Sequence, residues 1–255
     1  MEPAQLALLA FVASLAGAVN SIAGGGTLLL YPVAIAAGLP PIAATASSIT
    51  ALCPGALSAA WAYRKELKGR SKIVAMLAPP AIVGGLGGAL LLSRVPERVF
   101  EASVPFMVLF GTLLILFKDV VWRQSNRPRG RLNTRQVWIL AFAVCAVSVY
   151  SGYFGAGKNI LMLALLSIAQ SRSIHETNAL KCAVIGLATS VASIYFLATG
   201  KAQLATVSVI AIGAVAGSYG GAHLARGLKP ILVRYAVVAI GISLTCVLAY
   251  RHLGA

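Results

Sequence analysis

Acidic residues are scarce in this chain of 255 residues, which has 21 lysines and arginines but only six aspartates and glutamates. All six acids lie in or beside the loops between apolar segments, so the sequence offers no carboxylate relay for protons inside a membrane. Charged residues make up 11% of the chain, against roughly 25% in an average soluble domain. With 59% hydrophobic residues and a mean hydropathy of +0.87, the chain is predicted to lie mostly in a membrane.

Cysteine and histidine are also few, and their placement argues against several kinds of site. The four cysteines fall inside apolar segments without a CxxC spacing: Cys53, Cys145, Cys182 and Cys246. We therefore expect no metal site and no cofactor, and the absence of a Ser/His/Asp set argues against an enzyme. The net charge of +15 would suggest nucleic acid in a soluble protein, but here the basic residues concentrate in short loops that face lipid headgroups. The expected partner is the bilayer, with no nucleic acid.

Ten apolar segments are recognisable, and they form two groups of five. They cover residues 4–22, 27–39, 43–63, 72–92, 98–117, 136–153, 159–170, 177–198, 203–225 and 231–250. A spanning helix needs about 20 apolar residues, so the short second member of each group is predicted to be a half-helix or re-entrant segment. The fold class is thus an all-α polytopic membrane protein.

A glycine-rich break separates the first two segments of each group. Residues 23–27 read AGGGT and residues 154–158 read FGAGK, about 131 positions later. Irregular backbone survives inside a membrane only where protein or a water-lined cavity surrounds it. Paired broken helices in an internal repeat indicate a transporter's binding site. The alternative is that these glycines only allow helices to cross closely.

Further matches extend the repeat along the chain. Thr45 corresponds to Thr177, and both fourth segments carry glycines spaced as GxxxG, at 84–88 and 217–221. In these GxxxG motifs, helix packing is the favoured interpretation. Five segments per group is an odd number, which predicts inverted repeats. We expect a first membrane repeat at 1–117, a basic cytoplasmic linker at 118–135 and a second membrane repeat at 136–255, because the linker is the most basic stretch.

The second break nearly matches a nucleotide-binding loop. Residues 152–159 read GYFGAGKN, but Asn159 replaces the hydroxyl that would bind Mg²⁺. A membrane segment, rather than a buried strand, precedes the motif. ATP hydrolysis is therefore not expected.

Two lysines mark the candidate binding site. Lys158 lies at the second break, and Lys181 lies about one turn into the following long segment. Intramembrane ionisable residues are functional candidates, and a helix start near each break would favour an anion. Alternatives are a Glu176–Lys181 pair or lysines that extend to the interface. The predicted substrate-binding residues are Gly24, Gly25, Gly26, Thr27, Gly155, Ala156, Gly157, Lys158, Asn159, Thr45, Ser48, Thr177, Asn178 and Lys181, and further polar groups able to complete the site include Asn20, Ser21 and Ser47.

These motifs together resemble the sulfite exporter TauE/SafE family of membrane permeases. The resemblance runs from about residue 6 to residue 250 and depends on the two glycine breaks, on GLP at 38–40, on AATASS at 43–48 and on Thr177-Asn178. It implies a multi-pass permease of the bacterial inner membrane for sulfite or organosulfonates. The chain departs from the family pattern at Ala156, where a third glycine would stand, and in the polar residues 170–173.

The sequence supports a membrane transporter of small anions, and the resemblance implies sulfite or organosulfur compounds as the substrate class. We expect transport by alternating access around a midplane site that both breaks form. A passive anion channel using the same site is one alternative. A membrane scaffold in which the glycines serve only packing is another. The sequence also leaves open whether the protein forms a homodimer.

Overall fold

The computed structural model describes residues 3–22, 25–116, 133–169 and 174–224, and every regular element in these ranges is a helix. The helices are α1 (Pro3–Ile22), α2 (Gly26–Ala36), α3 (Pro41–Ala62), α4 (Arg64–Leu67), α5 (Ser71–Arg94), α6 (Glu97–Leu116), α7 (Thr134–Tyr153), α8 (Lys158–Ala169), α9 (Ile174–Ala198) and α10 (Leu204–Leu224). The predicted all-helical fold class is confirmed.

The predicted apolar segments agree closely with these helices. Apart from the terminal residues 117, 170 and 225, nine of the ten fall within the described ranges, and each forms a helix whose ends lie within a few residues of the predicted ones. The tenth, 231–250, and most of the 118–135 linker lie outside the described residues. The short helix α4 was not predicted, because its sequence RKEL has no apolar run to mark it.

Helices α2 and α8 are half-length, as predicted. They contain 11 and 12 residues, so at 1.5 Å per residue each spans roughly half of a hydrocarbon core about 30 Å thick. Five of the longer helices are long and apolar enough to cross a membrane, namely α3, α5, α7, α9 and α10. These properties are those of a polytopic membrane protein.

The helix pairings follow the internal repeat. Helix α1, the first of one group, packs on α10, the fourth of the other, and α7 packs on α5 in the corresponding way. Likewise α3 packs on α10 and α5 packs on α9, while α3 and α9 pack on each other. Exchanging the two groups therefore leaves these five pairings unchanged. The inversion of one group relative to the other stays a prediction.

Glycines at matching positions allow these pairings to be close. A β-carbon on Gly84 would overlap the carbonyl oxygen of Cys145, and one on Gly217 would overlap the carbonyl oxygen of Ser14. The second glycine of each GxxxG motif repeats the arrangement, with Gly88 against Val149 and Gly221 against Ala18. The packing interpretation of both motifs is thus confirmed.

Candidate functional site

Each glycine break contains a left-handed residue directly before a half-helix. Gly25 has φ 99° and precedes α2, while Gly157 has φ 71° and precedes α8. This conformation is open to glycine at little cost but strained for other residues. Both half-helices begin one residue earlier than predicted, at Gly26 and Lys158. Lys158 is therefore the structural counterpart of Gly26, whereas the sequence match had paired it with Thr27.

The second break contains a further left-handed glycine, Gly155, with φ 74°. A β-carbon there would lie 3.1 Å from Cδ and 3.3 Å from Nζ of Lys158, so the lysine side chain folds back over this glycine. Ala156, between the two left-handed glycines, is fully buried and has no positive φ. An alanine is compatible with that backbone, which explains the departure from a three-glycine motif.

Asn20, in the last turn of α1, joins the two breaks. Its Oδ1 accepts a hydrogen bond from the backbone N–H of Gly26 at 2.8 Å and another from Nδ2 of Asn159 at 3.0 Å. Its backbone carbonyl oxygen also lies 3.4 Å from Nζ of Lys181, which donates to it. The starts of α2 and α8 therefore converge on one amide oxygen, although they are more than 130 residues apart in sequence.

Both candidate lysines are buried. Lys158 is 3% exposed and Lys181 is 1% exposed, so neither extends to an interface. The proposed Glu176–Lys181 pair is wrong, because the carboxylate of Glu176 accepts from the guanidinium of Arg70 at 2.7 Å. Within the part of the chain that the structure describes, no ion pair involves Lys158.

A small cavity lies between these elements. Its lining residues are Asn20, Ser21, Leu52, Ala56, Ala59, Lys158, Asn159, Cys182, Ile185, Thr189 and Ser218. This described lining contains one cation and no acidic residue. The cavity thus combines a buried positive charge with amide and hydroxyl groups, a set that suits a small anion.

The other predicted site residues are buried but do not line this cavity. Gly26 and Lys181 reach it only through their bonds to Asn20, and Gly24 lies outside the described residues. The remaining polar ones, near the helix starts, are Thr27, Thr45, Ser48, Thr177 and Asn178, all at most 6% exposed. Among described residues, the hydroxyls of Thr45 and Ser48 and Oδ1 of Asn178 have no hydrogen-bond partner. Their role in binding stays a prediction.

Several lining residues were absent from the predicted set. Cys182, Ile185 and Thr189 lie on one face of α9, at spacings of three and four residues, a helical pattern that could have extended the site from Lys181. Asn20 was recognised only as a polar group near the break. Ser218 enters through α10, because its carbonyl oxygen accepts from the Ser21 hydroxyl at 2.9 Å. Only tertiary packing brings that serine to the cavity.

Comparison with known proteins identifies the family. The sequence model of the "Sulfite exporter TauE/SafE" family matches residues 9–248, nearly the whole chain. The protein belongs to the TauE/SafE family. The match covers both glycine breaks and all the residues that line the cavity.

Relatives of this TauE/SafE member are described as membrane transporters. The chain is 28% identical over 260 residues to "Probable membrane transporter protein YfcA" of Escherichia coli K12, covering 100% of this chain and 93% of the relative. It is 24% identical over 246 residues to a "Probable membrane transporter protein" of Haemophilus influenzae, covering 96% and 94%. A third relative, YdhB of Bacillus subtilis, is 25% identical over 219 residues, covering 84% and 87%. Together with the apolar helices, the family supports a multi-pass membrane protein that functions in transport.

Proposed function

We propose that this protein moves a small anion, sulfite or an organosulfonate, across the bacterial inner membrane by alternating access around the cavity between the two breaks. The observation that carries the proposal is Lys158, a buried lysine that lines the cavity and forms no ion pair with a described residue. A buried charge without a partner costs several kcal/mol. Such a cost is expected where the missing counter-ion is the substrate.

The surroundings of Lys158 suit an oxyanion. The start of α8 places a positive helix dipole end at the break, and the side-chain amide of Asn159 adds an N–H donor on the cavity wall. Sulfite and sulfonates present three oxygens, each able to accept hydrogen bonds. A site with one ammonium and several neutral donors therefore provides both charge and directional contacts.

The helix arrangement supports alternating access. The two groups of described helices, α1–α6 and α7–α10, pack on each other in matching pairs around α3 and α9, and the cavity lies where elements of both groups meet. Motion of one group against the other around such a site is the usual carrier mechanism. We propose the basic 118–135 linker as its cytoplasmic connection. We assign no catalytic step.

The test is flux in proteoliposomes. Wild-type protein is compared with Lys158→Ala for uptake of sulfite, sulfate, thiosulfate and several sulfonates, with and without a pH gradient. Lys201→Ala is the matched control, because Lys201 is exposed in a loop. Saturable flux that is lost in Lys158→Ala and kept in Lys201→Ala supports the proposal. Equal flux in all three proteins would refute the role of Lys158.

An anion channel is the second candidate, favoured by the lack of an acidic residue in the described cavity lining. Counterflow separates the two mechanisms, because a carrier exchanges external for internal anion and a channel does not. Flux that rises linearly with concentration and shows no counterflow would indicate the channel. No flux of any anion in the panel would instead favour a scaffold.

A further inference from the structure

We propose that the side-chain amide of Asn20 is an internal substitute for the transported anion: it holds the two breaks together in the empty protein and is displaced when an oxyanion binds. This inference rests on the proposed function, because it concerns how the same cavity closes when no substrate is present. It assigns Asn20 to the transport cycle as a positioning residue.

The geometry of Asn20 resembles that of a bound acceptor. Its Oδ1 accepts from the backbone N–H of Gly26, at the start of α2, at 2.8 Å and from the side-chain Nδ2 of Asn159, in the first turn of α8, at 3.0 Å. An amide oxygen carries partial negative charge and can accept two hydrogen bonds. It therefore occupies the position between the two helix starts where an oxygen of an anion would receive the same donors.

Lys158 is the part of the site that Asn20 leaves unsatisfied. Lys158 lines the same cavity, yet it forms no ion pair in the described part of the chain. A neutral amide can take the two N–H donors but cannot neutralise the ammonium. An oxyanion can do both, so it has a physical advantage over the amide in competition for these donors.

This competition would couple binding to movement. A ligand shifts a conformational equilibrium only by its differential affinity for the two states. With Asn20 in place, the binding site can close without an anion and then open again to the first side of the membrane. Net transport requires this reorientation of the empty carrier. Exchange of one anion for another needs no empty return, because the substrate itself then supplies the acceptor. Asn20 should therefore matter for net flux more than for exchange.

Two substitutions with opposite chemistry test this inference. Asn20→Ala removes the acceptor, so net sulfite efflux should fall roughly tenfold or more, as two lost hydrogen bonds imply, while sulfite–sulfite exchange stays close to wild type. Asn20→Asp replaces the amide with a fixed carboxylate that holds the same donors more strongly. Both exchange and net flux should then be lost. Equal loss of both modes in Asn20→Ala, or wild-type transport in Asn20→Asp, would overturn the proposal.

Ser151 provides the matched control. It occupies the position in α7 that corresponds to Asn20 in α1 (151 − 20 = 131), is fully buried, and its hydroxyl has no partner among the described residues. Ser151→Ala should leave both transport modes unchanged. A selective loss of net flux in this variant would show that any small change near a break has the effect, and it would overturn the assignment to Asn20.

A second readout does not depend on the choice of anion. Cys182 lines the cavity, so its alkylation rate, in a variant where it is the only cysteine, reports cavity opening without substrate. We expect faster alkylation in Asn20→Ala and slower alkylation in Asn20→Asp than in the parent. Equal rates in all three would refute the inference even if sulfite is transported. If the alkylation rates follow the expected order but sulfite is not transported, the role of Asn20 in closing the cavity is supported, and only sulfite as the substrate is refuted. If Asn20→Ala does not fold, Asn20→Ser, whose side chain is too short to reach both breaks, replaces it.

Discussion

Arg70 donates a hydrogen bond across 2.7 Å to the carboxylate of Glu176, joining the loop before α5 to the first turn of α9. The two residues belong to different helix groups. At the corresponding place of the other group, Gln203 before α10 donates its backbone N–H to the hydroxyl of Ser47 in α3 at 3.3 Å. The two connections are thus unequal, one an ion pair and the other a neutral hydrogen bond.

This difference predicts that the two faces of the protein open unequally. Removing the ion pair with Glu176→Gln should lower the free energy of unfolding by no more than about 1 kcal/mol, because both side chains are partly exposed. It should also raise the alkylation rate of Cys182 from the face of the protein that carries α4. The exchange variant Arg70→Glu/Glu176→Arg should restore the parent rate, and Ser47→Ala should act only from the opposite face. An unchanged rate in Glu176→Gln would mean that the ion pair does not control access.

The fold could be predicted from sequence largely because apolar runs determine membrane helices almost alone. The ends of α1, α3 and α7 were predicted within two residues, since polar or glycine residues border each run. The half-helices were identified by their length, because 11 or 12 residues cannot cross the bilayer. The tetrapeptide helix α4 depends on local hydrogen bonds rather than on composition, and it had no such signal.

The site was predictable only where it is local in sequence. The breaks and Lys158 stand out because glycine and lysine are unusual in apolar surroundings. The bond between Asn20 and Asn159 joins residues 139 positions apart, and the Arg70–Glu176 pair joins residues 106 apart. Such contacts follow from how the helices pack, which a single sequence does not reveal. For the same reason, the alternative that pairs Glu176 with Lys181, its neighbour in sequence, is wrong.

The packing glycines should be sensitive to alanine in a position-specific way. Gly84→Ala and Gly217→Ala should each lower the free energy of unfolding by about 1–3 kcal/mol, because the new β-carbon meets the backbone of the opposing helix. Gly220, inside the second motif, has nothing within 4 Å of its β-carbon position. Gly220→Ala should therefore raise stability by roughly 0.5–1 kcal/mol through helix propensity.

Gly87 extends this comparison to the first motif. Its β-carbon position lies 3.8 Å from Cγ2 of Val149, an ordinary contact distance, so Gly87→Ala should be tolerated. Thermal unfolding in detergent of all four variants measures the effect. Similar melting temperatures for Gly84→Ala and Gly87→Ala would contradict the close approach of α5 and α7.

Gly155 should be required for function for two reasons: its backbone conformation and the space that it leaves for the side chain of Lys158. Gly155→Ala and Gly200→Ala both place a side chain at positive φ, 74° and 67°, and each should cost about 1–2 kcal/mol. At Gly155 the new methyl group would also displace the side chain of Lys158. At Gly200 nothing lies within 4 Å of the β-carbon position. Anion flux should fall in Gly155→Ala and persist in Gly200→Ala. Equal flux per folded molecule would show that the position of the Lys158 ammonium is unimportant.

Lys158 should destabilise the anion-free protein if its role is to bind an anion. Lys158→Met keeps an unbranched side chain of similar length and removes the charge, so the free energy of unfolding should rise by about 1 kcal/mol or more, while anion flux is lost. The free energy of unfolding should rise less in Lys181→Met, because this substitution also removes the donor to the carbonyl oxygen of Asn20. Melting temperatures of the anion-free proteins in detergent provide the measurement. A lower melting temperature in Lys158→Met would show that the lysine stabilises the fold and would remove the energetic argument for an anion in the cavity.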